Sequence, residues 1–175
     1  FFRDRVMFPI FNVTGKVVAF GGRMLKSGKT DNPNVYNPKY INTAETEVYH
    51  KSQVLYGISH AKADIRKHDV CFLVEGYTDV ISLYQAGIKN VVASSGTALT
   101  KEQVQLIKRF TENMVILYDG DAAGVKAALR GLDIVLEQGL NVKLVLLPDN
   151  EDPDSFVKKN GTDATLEFIQ KHQQD

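Results

Sequence analysis

Cysteine is almost absent: Cys71 stands alone in 175 residues. A single thiol excludes an internal disulfide and any C-x-x-C pair, and a reducing, cytoplasmic compartment fits best. The four histidines, His50, His60, His68 and His172, show no zinc-ligand spacing either. No apolar run approaches the ~18 residues of a membrane span, so no membrane partner is expected. The opening Phe1-Phe2-Arg3-Asp4-Arg5 lacks an initiator Met and a signal-peptide layout, and reads as a cut inside a longer protein. Internal repeats and low-complexity segments are also missing. What is there is ordinary for a soluble globular chain: 43% hydrophobic and 24% charged residues, enough to bury a core. The length suits one domain, or a compact domain with a smaller appended unit.

Net charge is zero, yet the two halves differ. Residues 1–70 hold eleven Lys/Arg against six Asp/Glu, and residues 71–175 hold ten against fifteen. A basic front joined to an acidic back suits a polyanion held beside a metal site. The acidic residues fall in three groups: Glu75 with Asp79, Asp119-Gly120-Asp121, and Asp152-Pro153-Asp154. The first two follow short apolar runs, 70–74 and 114–118, that read as buried strands. Carboxylates at the carboxyl ends of parallel strands converge on the edge where open α/β sheets bind ligands. Several carboxylates side by side need cations, and oxygen ligands favour Mg²⁺ or Mn²⁺. Asp152 has a second role open to it, as a helix cap with Pro153 at the first helical position.

The remaining pattern organises the chain. Residues 6–11 and 17–23 predict a β-hairpin closed over Asn12–Lys16, with Pro9 marking an edge strand or a bulge. Residues 26–50 read as loop, and a helix is expected from Ser52, as N-cap, to about Lys67. Strands at 70–74, 90–94, 114–118 and 142–147 then alternate with helices near 78–86, from Thr100 onward, and 122–138. Thr100 and Gln103 have capping-box spacing. Such alternation means a parallel sheet with helices on its faces. The tail at 154–172 is helical, broken at Asn160-Gly161. Cys71, inside its apolar run, is expected to be a small buried hydrophobe. Ser27-Gly28-Lys29-Thr30 imitates the end of a P-loop, but Arg23 stands where the first glycine must be.

Arg3, Arg5, Arg23, Lys39 and Lys51 lie in or beside the front unit, and Lys39 precedes Tyr40. A Lys beside an aromatic suits a backbone phosphate and a stacked base.

The segments Val74–Val80 (V-E-G-Y-T-D-V), Ala93–Thr97 (A-S-S-G-T) and Tyr118–Gly124 (Y-D-G-D-A-A-G) resemble the Toprim motifs of the bacterial replicative DNA primase (DnaG-type) family. The front segments R-V-M-F-P-I, F-G-G-R and P-K-Y-I-N-T resemble that family's basic subdomain, and Glu151–Asp154 its later acidic motif. Ser95 and Thr78 depart from the pattern, which has a hydrophobic residue and commonly Met there.

The resemblance implies a Toprim (Rossmann-like) α/β domain at 69–150. A partial basic α+β subdomain would precede it at 1–68, and a helical segment would begin at 151–175. It implies synthesis of short RNA primers on single-stranded DNA from ribonucleoside triphosphates. Glu75, Asp79, Asp119 and Asp121 would be catalytic. Glu75, Asp119, Asp121, Asp152 and Asp154 would hold two or more Mg²⁺ or Mn²⁺ ions, with Glu75 either ligand or general base. Arg3, Arg5, Arg23, Lys39, Tyr40 and Lys51 would contact nucleotide or nucleic acid. No organic cofactor is implied. Zinc and the replicative helicase would belong to domains outside this chain, and the setting would be the bacterial cytoplasm. The acids alone also fit a Toprim nuclease or topoisomerase, or a non-catalytic nucleic-acid-binding module.

Overall fold

The computed structural model describes residues 1–25, 38–148 and 151–173. At the front, β1 (Arg5–Phe11) and β2 (Val17–Met24) pair antiparallel. The Asn12 carboxamide oxygen ties their connection by accepting from the Thr14 and Lys16 amides. Pro9 lies in an edge strand, and the register slips between Ile10 and Phe11. A third strand, β3 (Tyr40–Asn42), pairs with β2 and places Tyr40 opposite Arg23. It falls where the sequence reads as loop. Its three residues are too few for a periodic signal, and the pairing with β2 decides their conformation. The rest of that loop through residue 37, with the P-loop imitation, lies outside the described residues.

The helix expected from Ser52 begins later. Lys51–Gln53 form one 3₁₀ turn, and α1 runs Ile58–His68. The buried Gln103 side chain donates to the Lys51 and Val54 carbonyls, while the Thr100 hydroxyl donates to the Ser52 carbonyl. Tyr56 then exchanges two backbone hydrogen bonds with Ala93, which requires extended chain. Gly57, at φ 87°, turns the chain into the helix. Tertiary hydrogen bonds thus override a local helical period.

Beyond α1 the elements alternate: β4 (Cys71–Val74), α2 (Tyr77–Gln85), β5 (Val91–Ala93), α3 (Lys101–Lys108), β6 (Asn113–Tyr118), α4 (Ala122–Glu137), β7 (Asn141–Leu146), α5 (Pro153–Asn160) and α6 (Thr162–Lys171). The four strands are parallel in the order β5-β4-β6-β7. Their side chains alternate between two cores. Cys71, Leu73, Met114 and Ile116 pack with α1, α3 and α4, whereas Phe72, Val74, Val115 and Leu117 pack with α2, α5 and α6. Burial on both faces explains why these strands read as unbroken apolar runs. The Thr100 box closes as its spacing predicts, Thr100 Oγ1 accepting from the Gln103 amide at 3.2 Å and Gln103 Oε1 from the Thr100 amide at 3.1 Å. Cys71 is fully buried. Among the described residues no helix is long and apolar enough to cross a membrane.

Candidate active site at the carboxyl edge of the parallel sheet

Strand ends position the acids. Glu75 follows β4 and Asp119 follows β6, two hydrogen-bonded neighbours, so both leave the sheet at one edge. Gly120 is dictated by crowding: a Cβ there would stand 2.1 Å from the Leu147 carbonyl oxygen beyond β7. Asp121 caps α4, Oδ1 accepting from the Gly124 amide at 2.7 Å. Asp152 caps α5, Oδ1 accepting from the Ser155 amide at 2.7 Å, so its second role is real. Asp79, in the first turn of α2, is 7% exposed and accepts from the Gly76 amide at 2.9 Å.

The front sheet is fastened to this edge through Tyr77. Its ring stacks on Phe8 with centroids 4.9 Å apart, meets Tyr56 edge-on at 4.7 Å, and lies over Gly21, where a Cβ would clash at 2.6 Å. Its hydroxyl donates to Asn42 Oδ1 at 2.8 Å, and Asn42 Nδ2 donates to the Ser95 carbonyl at 3.2 Å. Three parts of the chain therefore meet around a pocket of about 430 Å³. Glu75 and Asp119 line it from strand ends of the parallel sheet, Asp79 and Asp152 from the starts of α2 and α5, and Lys39 and Tyr40 from the front. The Lys39 ammonium and the Arg23 guanidinium both approach the Tyr40 ring, at 5.8 and 5.9 Å from its centroid.

Electrostatics mark the pocket as short of positive charge. Partial burial pushes Glu75 up, with the charges of Asp119 and Asp121 adding to it. Burial also pushes Asp119 up, with Asp152 and Asp121 adding. Asp79 is raised to about 7, chiefly by burial, with Asp152 and Asp119 adding, despite the Gly76 amide. Asp154 goes the other way. Burial would raise it, but hydrogen bonds from Lys158 and the Ser82 hydroxyl, with the charges of Lys158 and Arg23, hold it below the usual range. Among the described residues no three or more His, Cys, Asp or Glu side chains form a ready-made ion cage.

The expected site residues therefore divide. Glu75, Asp79, Asp119, Asp152, Lys39 and Tyr40 come together in the pocket. Asp121 stands beside it as a cap, and Asp154 is engaged by Lys158 and Ser82. The Arg5 guanidinium donates to the Gly22 and Lys39 carbonyls, so it secures the backbone that carries Lys39. Arg3, exposed before β1, does not line the pocket. Neither does Lys51, whose amide donates to Glu45 and whose carbonyl accepts from Gln103. Sequence reasoning missed Asn42 and Tyr77. They lie inside the P-K-Y-I-N-T and V-E-G-Y-T-D-V segments, but their contact spans 35 residues and leaves no local signal.

A doubly covered parallel sheet with carboxylates at adjacent strand ends fits the Toprim-like class, and residues 72–157 match the Toprim-like family model. Residues 1–62 match the model described as the N-terminal domain of the DNA primase catalytic core. A DNA primase of Clostridium acetobutylicum is 49% identical over 170 residues, 97% of this chain and 27% of that protein. The solved zinc-binding and RNA polymerase domains of the Aquifex aeolicus primase superpose with a TM-score of 0.90 at 40% identity, over 99% of this chain and 41% of that one. A DnaG primase catalytic domain bound to single-stranded DNA gives 0.84 at 40% identity, over 96% and 53%. The chain belongs to the bacterial DNA primase family, as the Toprim-containing part of its catalytic core. It spans about a quarter of the length of the curated relatives it matches.

Proposed function

We propose that this chain is the part of a DNA-dependent RNA polymerase, a primase, that joins ribonucleotides into short primers on single-stranded DNA. One observation carries the reading: Lys39 and Tyr40 line the same pocket as Glu75, Asp79, Asp119 and Asp152. A cation beside an aromatic receives a phosphate and a stacked base, and clustered carboxylates receive the metal ions that such chemistry uses. The single-stranded DNA in one related catalytic domain supports the template assignment. In this reading residues 1–68 are the basic subdomain, 69–150 the Toprim domain and 151–175 the start of a helical segment. The parent protein works in the bacterial cytoplasm beside a replicative helicase.

The donor set suits Mg²⁺ or Mn²⁺, because the acids lining the pocket offer only carboxylate oxygens. Glu75, Asp119 and Asp152 would hold the ions together with substrate phosphates, a common arrangement for Mg²⁺. Asp121 and Asp152 each commit one oxygen to a helix cap and keep the other. Asp154 would join by releasing Lys158. When bound, the ions lower the pKa of the attacking hydroxyl and neutralise charge building on the phosphates. Lys39 and Arg23 bind the triphosphate, Tyr40 stacks on the base, and Glu75 serves as ligand or general base. Arg5 acts by holding the Lys39 backbone, and Arg3 and Lys51 contact nucleic acid further out.

The test uses the intact primase that carries this chain, with calorimetric titration of manganese and a primer-synthesis assay. Asp119→Ala is expected to lose manganese binding and to cut synthesis by about 10³-fold. Equal manganese binding by wild type and variant would sink the metal assignment. Cleavage of the DNA without primer synthesis would favour a Toprim nuclease instead.

A further inference from the structure

We propose that a second pocket, on the α4 side of Glu75, seats the nucleotide whose 3′-hydroxyl is extended, with Arg130 as its phosphate contact. This rests on the nucleotidyl-transfer reading and assigns that reaction's second substrate. The pocket measures about 350 Å³, within the ~300–1,000 Å³ of small-molecule sites. Leu99, Ala127 and Ile134 form an apolar wall, and Glu75, Thr97 and Arg130 bring polar groups to it. Glu75 and Gly96 are the two residues that it shares with the acid pocket. A ligand in each would therefore meet at Glu75.

The two pockets differ in the charge they can receive. On the front side four carboxylates and Lys39 match a triphosphate with its metal ions. On the α4 side Glu75 is the one acid and Arg130 the one cation among the lining residues. One guanidinium matches one phosphodiester, and its planar fork can grip two phosphate oxygens together. Arg130 is exposed and makes no ion pair among the described residues. The apolar wall takes the base or ribose. A polymerase that starts from two nucleotides needs two seats flanking one reacting centre, and this arrangement supplies them. The 3′-oxygen of the nucleotide in the α4 pocket bonds to the α-phosphorus of its neighbour. The bond from that phosphorus to the bridging oxygen breaks, pyrophosphate leaves with the electron pair, and the hydroxyl proton passes to solvent, directly or through Glu75.

The experiment takes the intact primase and extends an RNA primer annealed to a DNA template. KM is measured separately for the primer terminus and for the incoming triphosphate. Arg130→Ala removes the phosphate contact, and Ala127→Leu fills the pocket from its wall. Each is expected to raise KM for the primer terminus about tenfold, the scale of one charge-assisted contact, and to leave that of the triphosphate unchanged. Arg130→Lys should recover part of the loss. A primer ending in thiouridine should crosslink to Thr97–Leu99 or to α4. Crosslinking to Lys39–Tyr40, or an unchanged primer KM in both variants, overturns the assignment. Asp119→Ala separates the two readings. If it still synthesises primers, nucleotidyl transfer at this edge is wrong; if it is inactive while the Arg130 and Ala127 variants match wild type, only the second seat is wrong.

Discussion

The two sheets of this molecule hold their functional groups in different ways. The parallel sheet is buried on both faces, and Glu75 and Asp119 project from strand ends whose backbones are locked in the ladder, while Asp79 and Asp152 stand at the starts of the helices α2 and α5 packed on it. The front sheet is smaller, and it meets the acid edge through one aromatic residue, Tyr77, and the Asn42 bridge. Groups of one charge therefore sit on a rigid support, and groups of the other on a docked one. The comparison teaches that the pocket is made by the docking: Lys39 and Tyr40 reach Glu75 only because β3 is seated against α2.

Removing the fastening is the largest test. Tyr77→Ala empties a site between Phe8, Tyr56 and Gly21, and is expected to destabilise the protein by about 3–5 kcal/mol, seen as a lower Tm. Tyr77→Phe keeps the ring and removes the hydroxyl with its hydrogen bond to Asn42, for about 1 kcal/mol. If the two variants melt together, packing is not what joins the sheets.

Asp79 probes the rigid side through pH. Its folded pKa of about 7 lies above the ~3.9 of an unfolded Asp. Below the lower value both states are protonated and burial of the carboxyl carries no charge penalty. Between the two values the folded state keeps its proton longer, so stability is lost as pH rises, and the loss levels off above about 7. Asp79→Asn in the metal-free protein is therefore expected to gain roughly 2–4 kcal/mol over wild type at pH 8 and almost nothing near pH 4. Unfolding at a series of pH values checks the sign, and a gain that is largest at low pH would refute it.

Lys39→Ala addresses the docked side. The side chain is exposed, so Tm should hold while KM for the incoming triphosphate rises about tenfold. Asp152→Asn is the mildest change. Asn caps a helix about as well as Asp, so stability should stay within about 0.5 kcal/mol. A fall in primer synthesis would then report the carboxylate charge, whereas unchanged synthesis would leave Asp152 as a cap alone.

Much of this protein can be read along the chain. Double burial turns β4 and β6 into apolar runs, and the residue after each run must leave at the same edge of a parallel sheet, which locates Glu75 and Asp119. The capping box at Thr100 and the break at Asn160-Gly161 are equally local, since a few neighbouring residues satisfy their own backbone groups. Tertiary structure alone decided the rest. It turned Arg5 toward the Gly22 and Lys39 carbonyls, kept Lys51 out of the pocket, and tied Asp154 to Lys158 and Ser82. It also replaced the first turns expected of α1 with chain held by Gln103 and Ala93. Each of these depends on partners that are distant in sequence or on competition among several donors for one acceptor. A local period carries no information about either, so the chain specified its acidic edge while the fold chose which cations would face it.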